Sequence, residues 1–293
     1  MNEQVNTQGI REKARDRMRR TAAETVDIAA GGSYAYKGEE IDIRNAQRRS
    51  EENSLLIDPA RGAEIVRQMA SQPSAAHSQT DYRVVNESAV KTVHDLAAAG
   101  ASRVGLLNFA SAKNPGGGFL NGATAQEENL AMSSGLYPSQ LRHPGYYEAN
   151  RACGTMRYTH HAIYSPEVVF FRDEKFELAA PPAYASVLTL PAVNYGQVLL
   201  KGEDADQAKA VMLDRMRLAL AIFAERGDRT LVLGAYGCGV FRNDPAEVAS
   251  WWRRLLDGEG WSAHFDRIVF AVLDRSQESR TLRPFERIWG RAL

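Results

Sequence analysis

Cysteine is the first scarcity: the 293-residue chain contains only Cys153 and Cys238. Two cysteines cannot build a disulfide framework, and a reducing compartment, the cytoplasm, is the expectation. Long apolar runs are missing too. None approaches the ~18 residues of a membrane span, and the N-terminus lacks the apolar core of a secretory signal. Arg11 to Arg20 is arginine-rich, but Glu12, Asp16, Glu24 and Asp27 argue against a mitochondrial transit peptide. Net charge is absent as well, with 36 basic and 36 acidic residues. No global field therefore recruits nucleic acid or an anionic membrane.

Familiar nucleotide and metal motifs are also lacking. No glycine loop ends in Gly-Lys-Ser/Thr, which excludes a P-loop. Glycines 234, 237 and 239 run in the reverse order of a Rossmann fingerprint, so nicotinamide chemistry is unsupported. His160-His161 with the two cysteines matches no zinc spacing, and no metal is expected.

What is present is an ordered alternation of strands and helices. Residues 1–8 carry no pattern and read as disordered. Ile10, Ala14, Met18, Ala22 and Val26 then recur every fourth position, one face of a helix that Gly31-Gly32 ends. Its arginines occupy the other face and read as a solvated surface. A hairpin turning at Lys37-Gly38, a helix from Pro59 to Met69 and a loose loop from Ser71 to Thr80 follow. Residues 1–80 form the expected accessory region, packed on a core of 81–293.

In that core, strands are expected at Tyr82–Val85, Val104–Ala110, Glu167–Phe171, Ala185–Leu190, Thr230–Leu233 and Arg267–Leu273. Helices intervene at 88–99, 126–132, 204–226 and 245–256, and a last one contains Trp289. Asn86 or Ser88 can cap the first of them. Asp244-Pro245-Ala246-Glu247 has the form of a capping box with proline at the first helical position. Such alternation predicts a three-layer α/β/α sheet. The paired aromatics Tyr146-Tyr147 and Trp251-Trp252 read as packing residues.

Two glycine-rich loops each follow an apolar strand, at the edge where open α/β sheets bind ligands. The first joins Gly116-Gly117-Gly118 to Gln126-Glu127-Glu128 through seven residues. The second is Gly234-Ala235-Tyr236-Gly237-Cys238-Gly239-Val240-Phe241. Glycines let the backbone approach a ligand and expose peptide N–H groups to phosphate or sugar oxygens. Two such cradles suit a diphosphate linked to ribose. Glu127 and Glu128, about 100° apart on a helix, cannot flank a bond from opposite sides. One is expected to hold a sugar hydroxyl while the other moves a proton.

These residues resemble the signature of poly(ADP-ribose) glycohydrolases. The glycine triplet, seven residues and Gln126-Glu127-Glu128, with Leu107 to Pro115 before them and Asn129-Leu130 after, are similar to the bacterial type. Gly237 to Phe241 resembles that family's diphosphate loop. The resemblance implies a macrodomain fold, mixed in its central sheet and carrying an N-terminal helical extension. It implies hydrolysis of the ribose–ribose O-glycosidic bond of poly(ADP-ribose), with no cofactor. Glu128 would be the acid and base, and Glu127 would hold ribose hydroxyls. Asn108, Ala110, Gly116, Gly117, Gly118 and Gln126 would bind the distal ribose side. Gly237, Cys238, Gly239, Val240 and Phe241 would bind the diphosphate, with Phe241 packed on that ribose. Implied partners are poly(ADP-ribose), ADP-ribose and ADP-ribosylated proteins, in reversal of ADP-ribosylation and the DNA damage response. Sequence-specific nucleic-acid binding is not implied. A mono(ADP-ribosyl) hydrolase and a non-catalytic ADP-ribose reader share the pocket; the glutamates speak against the reader. Arg242 departs from the small residue, often glycine, expected there.

Overall fold

The computed structural model describes residues 2–72 and 79–290. In chain order the N-terminal part comprises α1 (Asn2–Gly31), β1 (Ser33–Tyr36), β2 (Glu39–Asp42), α2 (Arg44–Glu52), β3 (Leu55–Ile57) and α3 (Pro59–Ser71). Next come β4 (Asp81–Val85), α4 (Ala89–Ala98), β5 (Val104–Phe109), α5 (Gln126–Ser133), α6 (Leu136–Leu141) and α7 (Pro144–Ala152). The remainder is β6 (Ala162–Arg172), β7 (Leu178–Leu190), α8 (Tyr195–Leu200), α9 (Ala205–Arg226), β8 (Thr230–Leu233), α10 (Pro245–Arg253), β9 (Arg267–Ala271) and α11 (Arg283–Trp289). Helix α1 begins at Asn2, ahead of the expected start, so the opening residues are not the patternless stretch expected from sequence. Of the loop expected over 71–80, residues 73–78 lie outside the described residues.

Seven strands form one mixed sheet in the order β3-β6-β7-β5-β8-β9-β4. The β3–β6 and β6–β7 pairs are antiparallel; β7–β5, β5–β8, β8–β9 and β9–β4 are parallel. Strand periodicity builds the two faces. On β5, Leu107 joins the large cluster with Ile65 of α3, Met212 of α9, Trp252 of α10 and Phe285 of α11. Val104 and Leu106 join the opposite cluster, with Val90 and Val93 of α4 and Leu130 of α5. Leu231 and Leu233 of β8 point to the first face and Val232 to the second. The result is the expected three-layer α/β/α arrangement. Residues 55–57 of the N-terminal part supply an edge strand of the sheet, while β1 and β2 pair with each other.

Helix starts follow local chemistry. Ser88, Asp204 and Asp244 each accept from backbone N–H groups of the following turn, contacts worth about 1 kcal/mol apiece. Only the Asp244 half of the expected 244–247 box forms, because the Glu247 carboxylate pairs with Lys209 instead. At the C-terminus of α9, Gly227 takes the left-handed conformation at φ 79°.

β5 and β8 are adjacent and parallel, so both glycine loops leave the sheet side by side. Helix α1 lies against the first of them. Arg15 Nε donates to Asn121 O at 2.8 Å, and Ala22 packs with Phe119, Ala131 and Met132. The helix thereby braces the chain between the glycine triplet and the two glutamates.

Candidate active site

The first loop is folded by two left-handed glycines. Gly116 and Gly117 have φ 63° and 59°, where a side chain costs about 1–2 kcal/mol. A turn of 3₁₀ helix at Phe119–Asn121 and a left-handed Gly122 return the chain to α5. Glu128 then closes the loop on itself. Its Oε1 accepts from Gly118 N at 3.0 Å, and its Oε2 accepts from Ala125 N at 3.0 Å.

Glu127 turns inward and is 3% exposed. Oε2 accepts from Ser111 N at 2.6 Å; Oε1 accepts from Asn108 Nδ2 at 3.2 Å and Gln140 Nε2 at 3.0 Å. Burial pushes its carboxyl up to about 8, opposed by these three donors and aided by the neighbouring Glu128 charge. Although adjacent on the helix, the two carboxylates approach one point. A Cβ built on Gly117 would collide with Glu128 Oε1 and lie 3.2 Å from Glu127 Oε2. Glycine at 117 is thus required twice, for its φ and for the space that the carboxylates use.

Gln126 works for the backbone. Its Oε1 accepts from Phe109 N and its Nε2 donates to Leu107 O, both at 2.9 Å. The side chain continues the β5 ladder by one peptide-like step and fixes α5 to the strand end. Ala110 is fully buried and donates to Leu190 O at 3.3 Å.

The second loop contains no carboxylate between 234 and 241 and is anchored from behind. Trp252 Nε1 donates to Gly234 O at 3.1 Å, and buried Tyr236 donates its hydroxyl proton to Leu190 O at 2.9 Å. Gly237 has φ 73°, and Asn243 Nδ2 donates to both its carbonyl and that of Val193. The N–H groups of Gly239, Val240 and Phe241 make no hydrogen bond among the described residues. Three such donors on an anchored turn are a nest for an anion. Val240 is 82% exposed at its tip. Arg242 sits at φ 58°, which accounts for the expectation of a glycine there. Its aliphatic stem lies across Gly196, and Phe241 O accepts from Gly196 N at 2.9 Å. The rings of Phe241 and Tyr158 are 6.1 Å apart.

A cavity of about 260 Å³ joins the loops, with Ala110, Gln126, Glu127 and Glu128 on one side and Gly237, Gly239, Val240 and Phe241 on the other. A second cavity of about 290 Å³ shares Phe109, Ala125, Gln126, Ala235 and Gly239 with it and continues to Val90, Leu130 and Leu273. Together they make one elongated cleft across the sheet edge. Cys238 lines the second cavity, where burial holds its thiol well above the usual range. Asn108 is fully buried behind Glu127 and lines neither cavity, and the glycine triplet supports the carboxylates without lining the cleft.

Sequence reasoning missed the support of Glu127. Gln140 on α6 is fully buried, and both Gln140 and Asn108 also donate to Thr189 Oγ1 of β7. Tyr146 of α7 donates to Ser111 O at 3.3 Å. Gln140 Oε1 and Asn108 Oδ1 are buried with no partner among the described residues, a cost of about 1–3 kcal/mol each. The amide of Gln140 had no local pattern around it that could have marked it.

The family model for the catalytic domain of microbial-type PARG matches residues 22–173. The structure of poly(ADP-ribose) glycohydrolase from Thermomonospora curvata is 36% identical, with a TM-score of 0.89, covering 93% of this chain and 99% of that one. The same enzyme bound to the inhibitor ADP-HPD gives 0.86 at 36% identity, over 94% and 100% of the two chains. Poly(ADP-ribose) glycohydrolase from Deinococcus radiodurans in complex with ADP-ribose gives 0.77 at 40%, over 82% and 95%. No curated protein matches the sequence.

Proposed function

The chain belongs to the microbial-type poly(ADP-ribose) glycohydrolase family, and from that premise we propose how its own residues carry the hydrolysis. The protein is a glycosidase that hydrolyses poly(ADP-ribose). ADP-ribose, which the Deinococcus enzyme binds, takes the elongated cleft here. The diphosphate rests on the N–H groups of 239–241. The adenosine enters the cavity of Val90, Leu130 and Leu273, and the distal ribose meets Glu127 and Glu128. Phe241 packs on that ribose.

Glu128 donates a proton to the leaving ribose oxygen as the glycosidic C–O bond breaks and positive charge develops on the ring. It then removes a proton from the attacking water, which restores the acid. Glu127 accepts a hydrogen bond from a ribose hydroxyl and brings negative charge beside the oxocarbenium-like centre. Gln126 holds α5 to the end of β5, and Asn108 acts through Glu127. The observation that carries this reading is the approach of both carboxylates to Gly117 beside the shared cavity.

The accessory region of 1–80 supports the catalytic core of 81–293 through α1 and the strand at 55–57. The two free cysteines fit the cytoplasm. There the enzyme would strip polymer from ADP-ribosylated proteins after DNA damage, which polymer accumulation in damaged cells lacking it would test. The direct experiment is incubation with poly(ADP-ribose) of defined length, followed by product sizing. Release of ADP-ribose is expected; intact polymer would contradict the reading.

A further inference from the structure

Among the described residues, the groups around Glu127 come from five places. They are Asn108 of β5, Thr189 of β7, Gln140 of α6, Tyr146 and Tyr147 of α7, and the backbone N–H of Ser111. The formal charge acting on it is that of Glu128, on its own helix. Both amides give their NH₂ to Glu127 Oε1 and leave their own oxygens buried and unpaired. An amide kept only for packing would be replaced by an apolar side chain without that penalty. Oε1 has two donors and Oε2 one, so Oε2, which lies 3.2 Å from a Cβ built on Gly117, keeps capacity for one more donor beside the cleft that Glu127 lines.

We propose that Gln140 is a positioning residue for the glycosidic reaction, holding the Glu127 carboxylate charged and aimed at the bound ribose. The inference rests on the role given to Glu127 above. A charged Glu127 accepts from the ribose hydroxyl and stabilises positive charge on the ring; a protonated one does neither as well. Burial pushes the group up to about 8, and donors such as Gln140 oppose that rise. Polymer hydrolysis should therefore gain rate as pH rises toward 8, and loss of Gln140 should move that limb upward.

The test is kcat/KM for ADP-ribose release from poly(ADP-ribose), measured from pH 6 to 10 for the wild type and Gln140→Met, with thermal unfolding as the folding check. Met keeps the volume and removes the donor. The expected result is a rising limb displaced by about one pH unit, which is about a tenfold loss at pH 7 that narrows at high pH. An unmoved limb, or an equal loss at every pH, would overturn the proposal. Glu127→Gln supplies a second reading that does not depend on how well Gln140→Met folds. It should abolish the limb, and a limb that survives in it also overturns the proposal. A wild type that releases no ADP-ribose would instead defeat the hydrolase reading itself.

Discussion

The two glycine loops leave neighbouring parallel strands and reach the same cleft, yet their glycines do different work. At Gly117 the missing Cβ makes room for two carboxylates, the pair that the proposed reaction uses as its acids. At Gly237 the missing Cβ makes room for Asn243 and Ala192, so the second loop is fastened from behind while the N–H groups of 239–241 make no hydrogen bond among the described residues. In the proposed reaction one loop changes charge at a ribose and the other receives an anion. A glycine-rich loop is therefore identified by what fills the space its glycines leave.

Gly117→Ala is the largest way to break this comparison. The methyl group enters the space of Glu128 Oε1 at a φ that alanine disfavours. Turnover should fall about a hundredfold, as for a catalytic group displaced by an ångström. Steady-state kinetics on polymer would show it as a loss in kcat, and unchanged kcat would reduce the loop to a turn. Gly237→Ala should act on the other parameter. Its Cβ would meet Asn243 Nδ2 at 2.6 Å and tilt the nest, so ADP-ribose affinity should drop about tenfold, or 1.4 kcal/mol, while kcat at saturation changes little. Calorimetric titration of ADP-ribose checks it. If both variants lowered the same parameter equally, the proposed division of labour would fail.

The smallest effect concerns buried acids on and off the site. Burial raises Glu127 to about 8 and Asp228 to about 7, from ordinary values near 4.5 and 3.8. In that window the folded state binds more protons than the unfolded chain, so stability falls as pH rises from about 4 to 8. Asp228, just ahead of β8 and so at the opposite end of that strand from the second loop, accepts from Tyr164. Asp228→Asn should lose less Tm than the wild type between pH 5 and pH 8, by a few degrees in thermal scans, with turnover unchanged. Parallel curves would mean that Asp228 carries little of the slope.

Much of this was legible because the signals were local. Alternating strands and amphipathic helices marked the α/β/α core, and two glycine loops with a Gln-Glu-Glu triplet marked the cleft. Other elements left no local signal. β3 has only three residues, and its place in the sheet depends on pairing with β6. In β7, Pro181 and Pro182 hid a strand that begins at Leu178. They are tolerated because β5 pairs with β7 only from Ser186 onward, leaving one side without a partner strand. Pro138 and Pro144 concealed α6 and α7 in the same way, each lying in a first helical turn where no intrahelical N–H bond is lost. With α6 went Gln140, whose role depends on meeting Glu127 across the fold. The approach of Glu127 and Glu128 to one glycine was likewise hidden, because it arises from the return of the loop and not from helical spacing.

The account turns on Glu128, and Glu128→Gln tests it most directly when polymer hydrolysis and ADP-ribose titration are measured on one preparation. The amide can still accept from Gly118 N, so the loop and cleft should persist and ADP-ribose should bind as in the wild type. Turnover should fall by ~10²–10⁴, the usual worth of a positioned general acid. Release of ADP-ribose from polymer at a near wild-type rate would contradict the account.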